Sequence, residues 1–290
     1  MTTRLQIAKK DIVKLFEETP KRIWNHSEIA NILYENRGYW RLAQTTSATG
    51  FINYLLDNTK FIRVSLNFPF RQEIRYVWGK ITIYEILMGL KEKAYFSHYT
   101  AMFLNDLTEQ IPKTMYLNVE QIQRVVPVRK NLEQTNIDRA FSNKPRVSNN
   151  YTVYNKNRIC LLNGKQSGNL GVVDIHDSNN SILKVTNLER TLIDIVVRPV
   201  YSGGVYEILE AYKKAIERLS VNKLMSYLFK LKHVYPYHQA IGFYLEKAEY
   251  KINQIALVEQ IEMKNDFYLD YQMKDSEYSS RWKLFYPKGM

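Results

Sequence analysis

An α+β fold in two parts is what this sequence predicts, and three observations carry it. Residues 1–80 run in the order helix, helix, helix, β-rich pair. The same residues hold 13 Lys/Arg against 7 Asp/Glu, so half of the chain's net charge of +12 sits in about a quarter of its length. The remainder mixes short β-rich runs with amphipathic helices, as a larger mixed α/β domain would. The division is expected near Gly79-Lys80, giving domains 1–80 and 81–290, which suits 290 residues at ~150 per domain.

Within the first part, Leu5, Ala8, Ile12, Leu15 and Phe16 recur at helical spacing, and Pro20 stops that helix. Asn25 and Glu28 have capping-box spacing, so a second helix starts there and buries Ile29, Ile32 and Leu33. Arg37-Gly38 breaks it. A third helix is expected from Thr45 to Leu56. Two β-rich runs follow, Phe61–Leu66 and Glu73–Trp78, separated by Asn67-Phe68-Pro69-Phe70. This order is that of a winged helix-turn-helix.

On a helical wheel the third helix sends Ala48, Ile52, Leu55 and Leu56 to one side, with Phe51 at the edge. Thr46, Ser47, Thr49, Gly50, Asn53, Tyr54 and Asp57 fall on the other. Solvated helix faces are usually rich in Lys and Glu; this one is small and polar. Such side chains let a helix enter a DNA major groove, so Thr46, Ser47, Thr49 and Asn53 are candidate base-reading residues. Lys21, Arg22, Arg37, Arg41, Lys60, Arg63, Arg71 and Arg75 flank it. Of these, Lys21, Arg22, Arg41, Arg63, Arg71 and Arg75 are candidate phosphate contacts. A pI of about 9.4 fits a polyanionic partner, here double-stranded DNA.

Composition excludes several classes. One cysteine rules out an intramolecular disulfide framework and a multi-cysteine zinc site. No apolar run approaches the ~18 residues of a membrane span. Met1-Thr2-Thr3-Arg4-Leu5 lacks the apolar stretch of a signal peptide, so a reduced, cytoplasmic, soluble protein is expected.

In the second part, helices are expected over Ile81–Leu90 and Tyr95–Leu107, the latter capped by Ser97. Strands are expected at Lys113–Val119, Tyr151–Tyr154, Arg158–Leu162, Leu170–Ile175 and Ser181–Val185. The stretch from about Asn131 to Asn180 reads as short strands and loops. Thr186 and Glu189 have capping-box spacing for a helix burying Leu188, Leu192, Ile195 and Val196. On that helix Arg190 and Asp194 can pair at i,i+4, and Glu189, Arg190 and Asp194 read either as a cap and a surface pair or as a polar cluster at a site. Pro199 and Gly203-Gly204 end it. Helices over Val205–Arg218, Val221–Leu231 and Tyr237–Ala248 and a strand at Arg281–Tyr286 complete the chain. Gly242 suits close packing or marks a weak point.

Several of these segments fall into a recognisable order. Tyr95-Phe96-Ser97-His98-Tyr99-Thr100-Ala101 is similar to the segment that opens the second domain of the AbiEi antitoxins. These are transcriptional regulators of type IV toxin–antitoxin, or abortive-infection, systems. Val185-Thr186-Asn187-Leu188-Glu189-Arg190-Thr191-Leu192-Ile193-Asp194 resembles that family's Glu-Arg-Thr-Leu hallmark. Gly203-Gly204, Ala240–Glu246 and Trp282-Lys283-Leu284 follow in its order, so the resemblance spans roughly residues 5 to 286. Tyr99, and Tyr237-His238-Gln239 before Gly242, depart from its pattern. The resemblance implies an operator-binding N-terminal winged helix that represses the operon and a C-terminal antitoxin domain. The functional partner it implies is a nucleotidyltransferase-like toxin, countered without a stable complex. Ser97, His98, Glu189, Arg190 and Asp194 are the candidate residues for antitoxin function.

An enzyme is the rival class. The sequence has no Gly-rich phosphate loop, no His-Glu-x-x-His and no Gly-x-Ser-x-Gly, so no catalytic residue, metal or cofactor is assigned. Asp174-Ile175-His176-Asp177 and Glu262-Met263-Lys264 are the segments a metal-dependent nuclease would use. A plain transcription factor with a dimerisation or sensor domain is the other alternative.

Overall fold

The structure, a computed structural model, describes residues 3–122, 132–177 and 179–290. Contacts divide the chain into two units. One is Met1–Glu92 with Thr152–Tyr154; the other is Lys93–Tyr151 with Asn155–Met290. Helices and sheets occur in both, so the chain is α+β.

The first unit begins with α1 (Arg4–Ile7) and α2 (Lys9–Glu18), where one helix was expected. A break at Ala8 separates them, and Ala8, Ile12 and Phe16 are buried. A short strand, β1 (Ile23–Trp24), precedes α3 (His26–Asn36). The Asn25 cap is as expected: its side chain accepts from Glu28 N at 2.9 Å, and Glu28 Oε2 accepts from Asn25 N at 2.8 Å. Then come α4 (Ala48–Asn58), β2 (Phe61–Phe68) and β3 (Arg71–Trp78). The hairpin is longer than the β-rich runs suggested, because pairing continues to Phe68 opposite Arg71. β1 pairs antiparallel with β3, giving the sheet order β1-β3-β2. Phe16 binds the layers together: its ring lies 5.2 Å from Trp24, 4.7 Å from Phe61 and 5.6 Å from Trp78.

This unit runs past the expected boundary at residue 80. Helix α5 (Ile83–Met88), capped by Thr82, belongs to it. Two contacts hold the segment. A Cβ on Gly89 would lie 2.8 Å from Ile23 Cγ2, and Arg75 donates to the carbonyls of Gly89 and Leu90 at 2.8 and 2.7 Å. A helical period alone does not say which core a helix joins.

The second unit contains β4 (Tyr95–Phe96), α6 (His98–Leu104), β5 (Thr114–Glu120) and α7 (Gln134–Ser142), then, after β6 (Tyr151–Tyr154), most of which groups with the first unit, β7 (Asn157–Gly164). It continues through β8 (Val172–His176), β9 (Ile182–Thr186) and α8 (Leu188–Val197) to α9 (Val205–Ala215), α10 (Val221–Leu231), α11 (Tyr237–Lys247) and α12 (Ile252–Glu259). Short strands β10 (Phe267–Tyr268), β11 (Ser276–Ser279) and β12 (Leu284–Pro287) end it. Strands β6 to β9 fall where they were expected; α7 stands inside the stretch read as strands and loops, and α12 had no sequence-based counterpart. The mixed sheet has the order β6-β7-β5-β4-β9-β8, with β4 parallel to β9 and β5 parallel to β7. α8 packs against α6, α9, α10 and α11. Every residue from Glu189 to Val196 is therefore buried, not the single face expected. No helix among the described residues is long and apolar enough to cross a membrane.

Candidate functional site

The sheet order explains how distant segments meet. β4 and β9 are parallel neighbours, with Phe96 opposite Val185. The chain leaves the C-terminal ends of both strands at the same edge, into Ser97-His98 and into α8. In α/β sheets such strand ends are where ligand crevices form. Here they border a cleft of about 870 Å³ lined by Ser97, His98, Arg190 and Asp194. Four of the five residues singled out for antitoxin function thus line one cavity.

Arg190 is only 6% exposed and Asp194 8%. Their ion pair, Nε to Oδ1 at 2.8 Å, is therefore internal, which corrects the expectation of a surface pair. Arg190 Nη1 also donates to Leu170 O at 2.8 Å and Ser167 Oγ at 3.1 Å. Ser167 in turn donates, through both N and Oγ, to Glu120, and Tyr95 joins Glu120 to Asn118. Burial pushes the Glu120 carboxyl up, but the donors from Ser167 and Asn169 outweigh it and hold the group below its ordinary value.

Three cap assignments change. Asn187, not Thr186, caps α8, accepting from Arg190 N at 3.1 Å; Thr186 is fully buried and bonds to Thr191 Oγ1 at 2.8 Å. Glu189 does not reach back to a cap. Its carboxylate pairs with Lys223 of α10 at 2.9 Å, away from the cleft-lining residues. Ser97 makes no cap bond to α6; its Oγ lies 2.9 Å from His98 Nδ1.

His98 adopts φ 52°, in the left-handed region that non-glycine residues enter at a cost of about 1–2 kcal/mol. Its ring lies edge-on to Tyr201 at 5.3 Å, and Tyr201 lies 5.2 Å from Tyr116. Burial is the main cause that drives the His98 imidazole down to about 4, with Arg190 and Arg198 acting in the same direction and Asp194 opposing. His233, also on the cleft wall, is driven to about 4 by burial, and its Nε2 has neither solvent nor a hydrogen-bond partner. Both rings are neutral at pH 7.

Arg146, Lys165, Arg198, Tyr201, Tyr235 and His233 also line this cleft and were not among the sequence candidates. Arg198 lies four residues beyond the end of the hallmark segment, just before Pro199. The others are scattered over nearly ninety residues with no spacing to unite them.

In the first unit, α4 presents Ser47, Thr49, Gly50, Asn53 and Asp57 to solvent, while Thr46 and Tyr54 are half-buried. Thr46 and Ser47 precede the helix: Ser47 caps it through Gly50 N at 3.1 Å. Arg37 donates to the carbonyls of Ala43 and Thr46 and so fixes the turn before α4. Arg4, Arg37, Arg41 and Gln44 line a shallow recess of about 480 Å³. Arg22, Arg41 and Arg63 are exposed without an ion pair among the described residues. Lys21 pairs with Glu28 at 2.6 Å and Arg71 with Glu73 at 2.8 Å. Arg75 departs from its expected place among the phosphate contacts. Its side chain is 12% exposed and committed to Glu73 and to the carbonyls of Ile74, Gly89 and Leu90.

The segments suited to a nuclease have other partners. Asp174 pairs with Lys184 at 3.0 Å, Asp177 Oδ1 accepts from the backbone of Asn179 and Ser181, and Glu262 pairs with Lys264 on the surface. Among the described residues no group of three His, Cys, Asp or Glu is placed to hold a metal ion.

No protein-family model matches this chain, and no curated protein does. Among solved structures it is similar to the RV2827C protein from Mycobacterium tuberculosis. The TM-score is 0.62 at 9% identity, over 96% of this chain and 91% of that one. At that identity the likeness is one of fold alone.

Proposed function

We propose that this chain is a type IV antitoxin that also binds operator DNA through a winged helix in its first unit and represses its own operon. In this reading α4 enters the major groove through Ser47, Thr49 and Asn53, and Arg22, Arg41 and Arg63 neutralise phosphates. Antitoxin function lies in the second unit and counters a nucleotidyltransferase-like toxin without a stable complex. The observation that carries the reading is the meeting of Ser97 and His98 with Arg190 and Asp194 in one cleft, since these come from the two segments most similar to the AbiEi antitoxins. The test is co-expression with a nucleotidyltransferase-like toxin, to be sought in the gene immediately downstream. Growth should be restored, while purified toxin and antitoxin elute separately in gel filtration. Persistent toxicity in the presence of folded protein overturns the antitoxin role.

A second reading, a transcription factor with a sensor domain, is favoured by the cleft itself, whose volume is in the ~300–1,000 Å³ range of small-molecule sites. Operator binding that changes with a small ligand, with no effect on the toxin, would establish it instead.

A further inference from the structure

The cleft of the second unit carries an excess of positive charge that its own residues do not use. Among the described residues four cations line it, Arg146, Lys165, Arg190 and Arg198, against one carboxylate, Asp194. Asp194 is engaged by Arg190 at 2.8 Å. The guanidinium groups of Arg146 and Arg198 make no hydrogen bond or ion pair among the described residues, and Arg146 is exposed while Arg198 is half-buried. A guanidinium offers a planar fork of donors that matches a phosphate, and this cavity has two such forks unengaged in its lining.

The rest of the wall is of a different chemistry. Tyr201, Tyr235, His98 and His233 supply aromatic surface. Tyr201 is fixed by accepting a bond from the backbone N of Ser148 at 2.7 Å, so its ring position is set before any ligand arrives. His233 Nε2 is buried without a partner on the same wall. The volume of about 870 Å³ accommodates a small molecule rather than a polymer.

The geometry points to a binding site for a mononucleotide-class ligand: a phosphate monoester held by Arg146 and Arg198, with a planar ring against the Tyr201 and His98 side of the cleft. This concerns the same cavity as the antitoxin reading but does not depend on it.

The test is calorimetric titration of the full chain with the four 5′-ribonucleoside monophosphates, with inorganic phosphate and with adenosine. At least one monophosphate should bind more tightly than phosphate, and adenosine should bind weakly. Arg198→Ala and Arg146→Ala should each weaken that binding about tenfold, the size of one lost charge-assisted hydrogen bond. Lys10→Ala, on the exposed side of α2, should leave it unchanged. Arg146 is exposed, so its variant is not compromised by folding. Four results overturn the inference: no binding at millimolar concentration, phosphate binding as tightly as every monophosphate, adenosine binding as tightly as its monophosphate, or binding indifferent to both arginines. A chain that rescues growth yet binds no monophosphate overturns this inference alone; one that binds but fails to rescue overturns only the antitoxin role.

Discussion

Arg190 and Asp194, one turn apart on α8, form an ion pair that is almost wholly buried by the elements packed around that helix, at the wall of the cleft. On an exposed helix face such a pair contributes about 0–1 kcal/mol. Here, removal of one partner strands the other charge in the interior. Arg190→Ala should therefore destabilise the second unit by about 3–5 kcal/mol, read as a lowered denaturant midpoint. A loss under 1 kcal/mol would mean that water reaches the pair. Loss of function in this variant reports folding first, so Arg198→Ala is the cleaner probe of the cleft.

Acid should weaken the second unit before it protonates the carboxylates in bulk. His98 and His233 have folded-state values of about 4, depressed first by burial, against 6.5 for the free side chain. The unfolded chain thus binds protons that the folded chain refuses. Their contribution to stability is present above pH 6.5 and is lost as pH falls from 6.5 toward 4. Melting temperature should drop across that window, and the drop should shrink in the His98→Asn, His233→Asn double variant. An unchanged profile in that variant would assign the acid sensitivity to other groups.

Gly242 is where the chain permits the closest approach. A Cβ there would lie 2.1 Å from Cζ3 of Trp282, whose ring is fully buried and whose Nε1 donates to Glu246 at 2.5 Å. Gly242→Ala, which would favour an ordinary helix, should instead cost about 3 kcal/mol or more by overpacking. Chemical denaturation followed by tryptophan fluorescence measures it; a stabilised variant would mean that the indole moves aside freely.

Arg75 and Arg63 should separate structure from DNA binding. Arg75→Ala leaves the Gly89 and Leu90 carbonyls without their donor, so it should lower stability by about 1–3 kcal/mol. Arg63→Ala should leave stability within ~0.5 kcal/mol and reduce the salt dependence of operator binding by about one unit. Asn53→Ala should relax sequence preference at a cost of about 1–3 kcal/mol with the salt slope unchanged. Identical salt slopes for Arg63→Ala and the wild type would remove Arg63 from the phosphate contacts.

Sequence by itself determined the local elements whose signals are local. The Asn25–Glu28 cap, the β2–β3 hairpin, α10 from Val221 to Leu231 and the strands from Tyr151 to Thr186 were legible because caps, turns and periodicity act within a few residues. The Ser97-His98 and Arg190–Asp194 segments were legible as candidates through family resemblance. Only the tertiary structure decided that they share a cleft, because the parallel pairing of β4 with β9 joins residues nearly ninety positions apart. It also decided what burial does to each group. Glu189, Arg190 and Asp194 look like solvated polar positions on a wheel, yet α8 is enclosed by four helices. Arg75 reads as a wing cation, yet the carbonyls of Gly89 and Leu90 lie within its reach. Helical period fixes which residues share a face; what that face meets depends on long-range packing, and with it the line between a surface charge and a buried one.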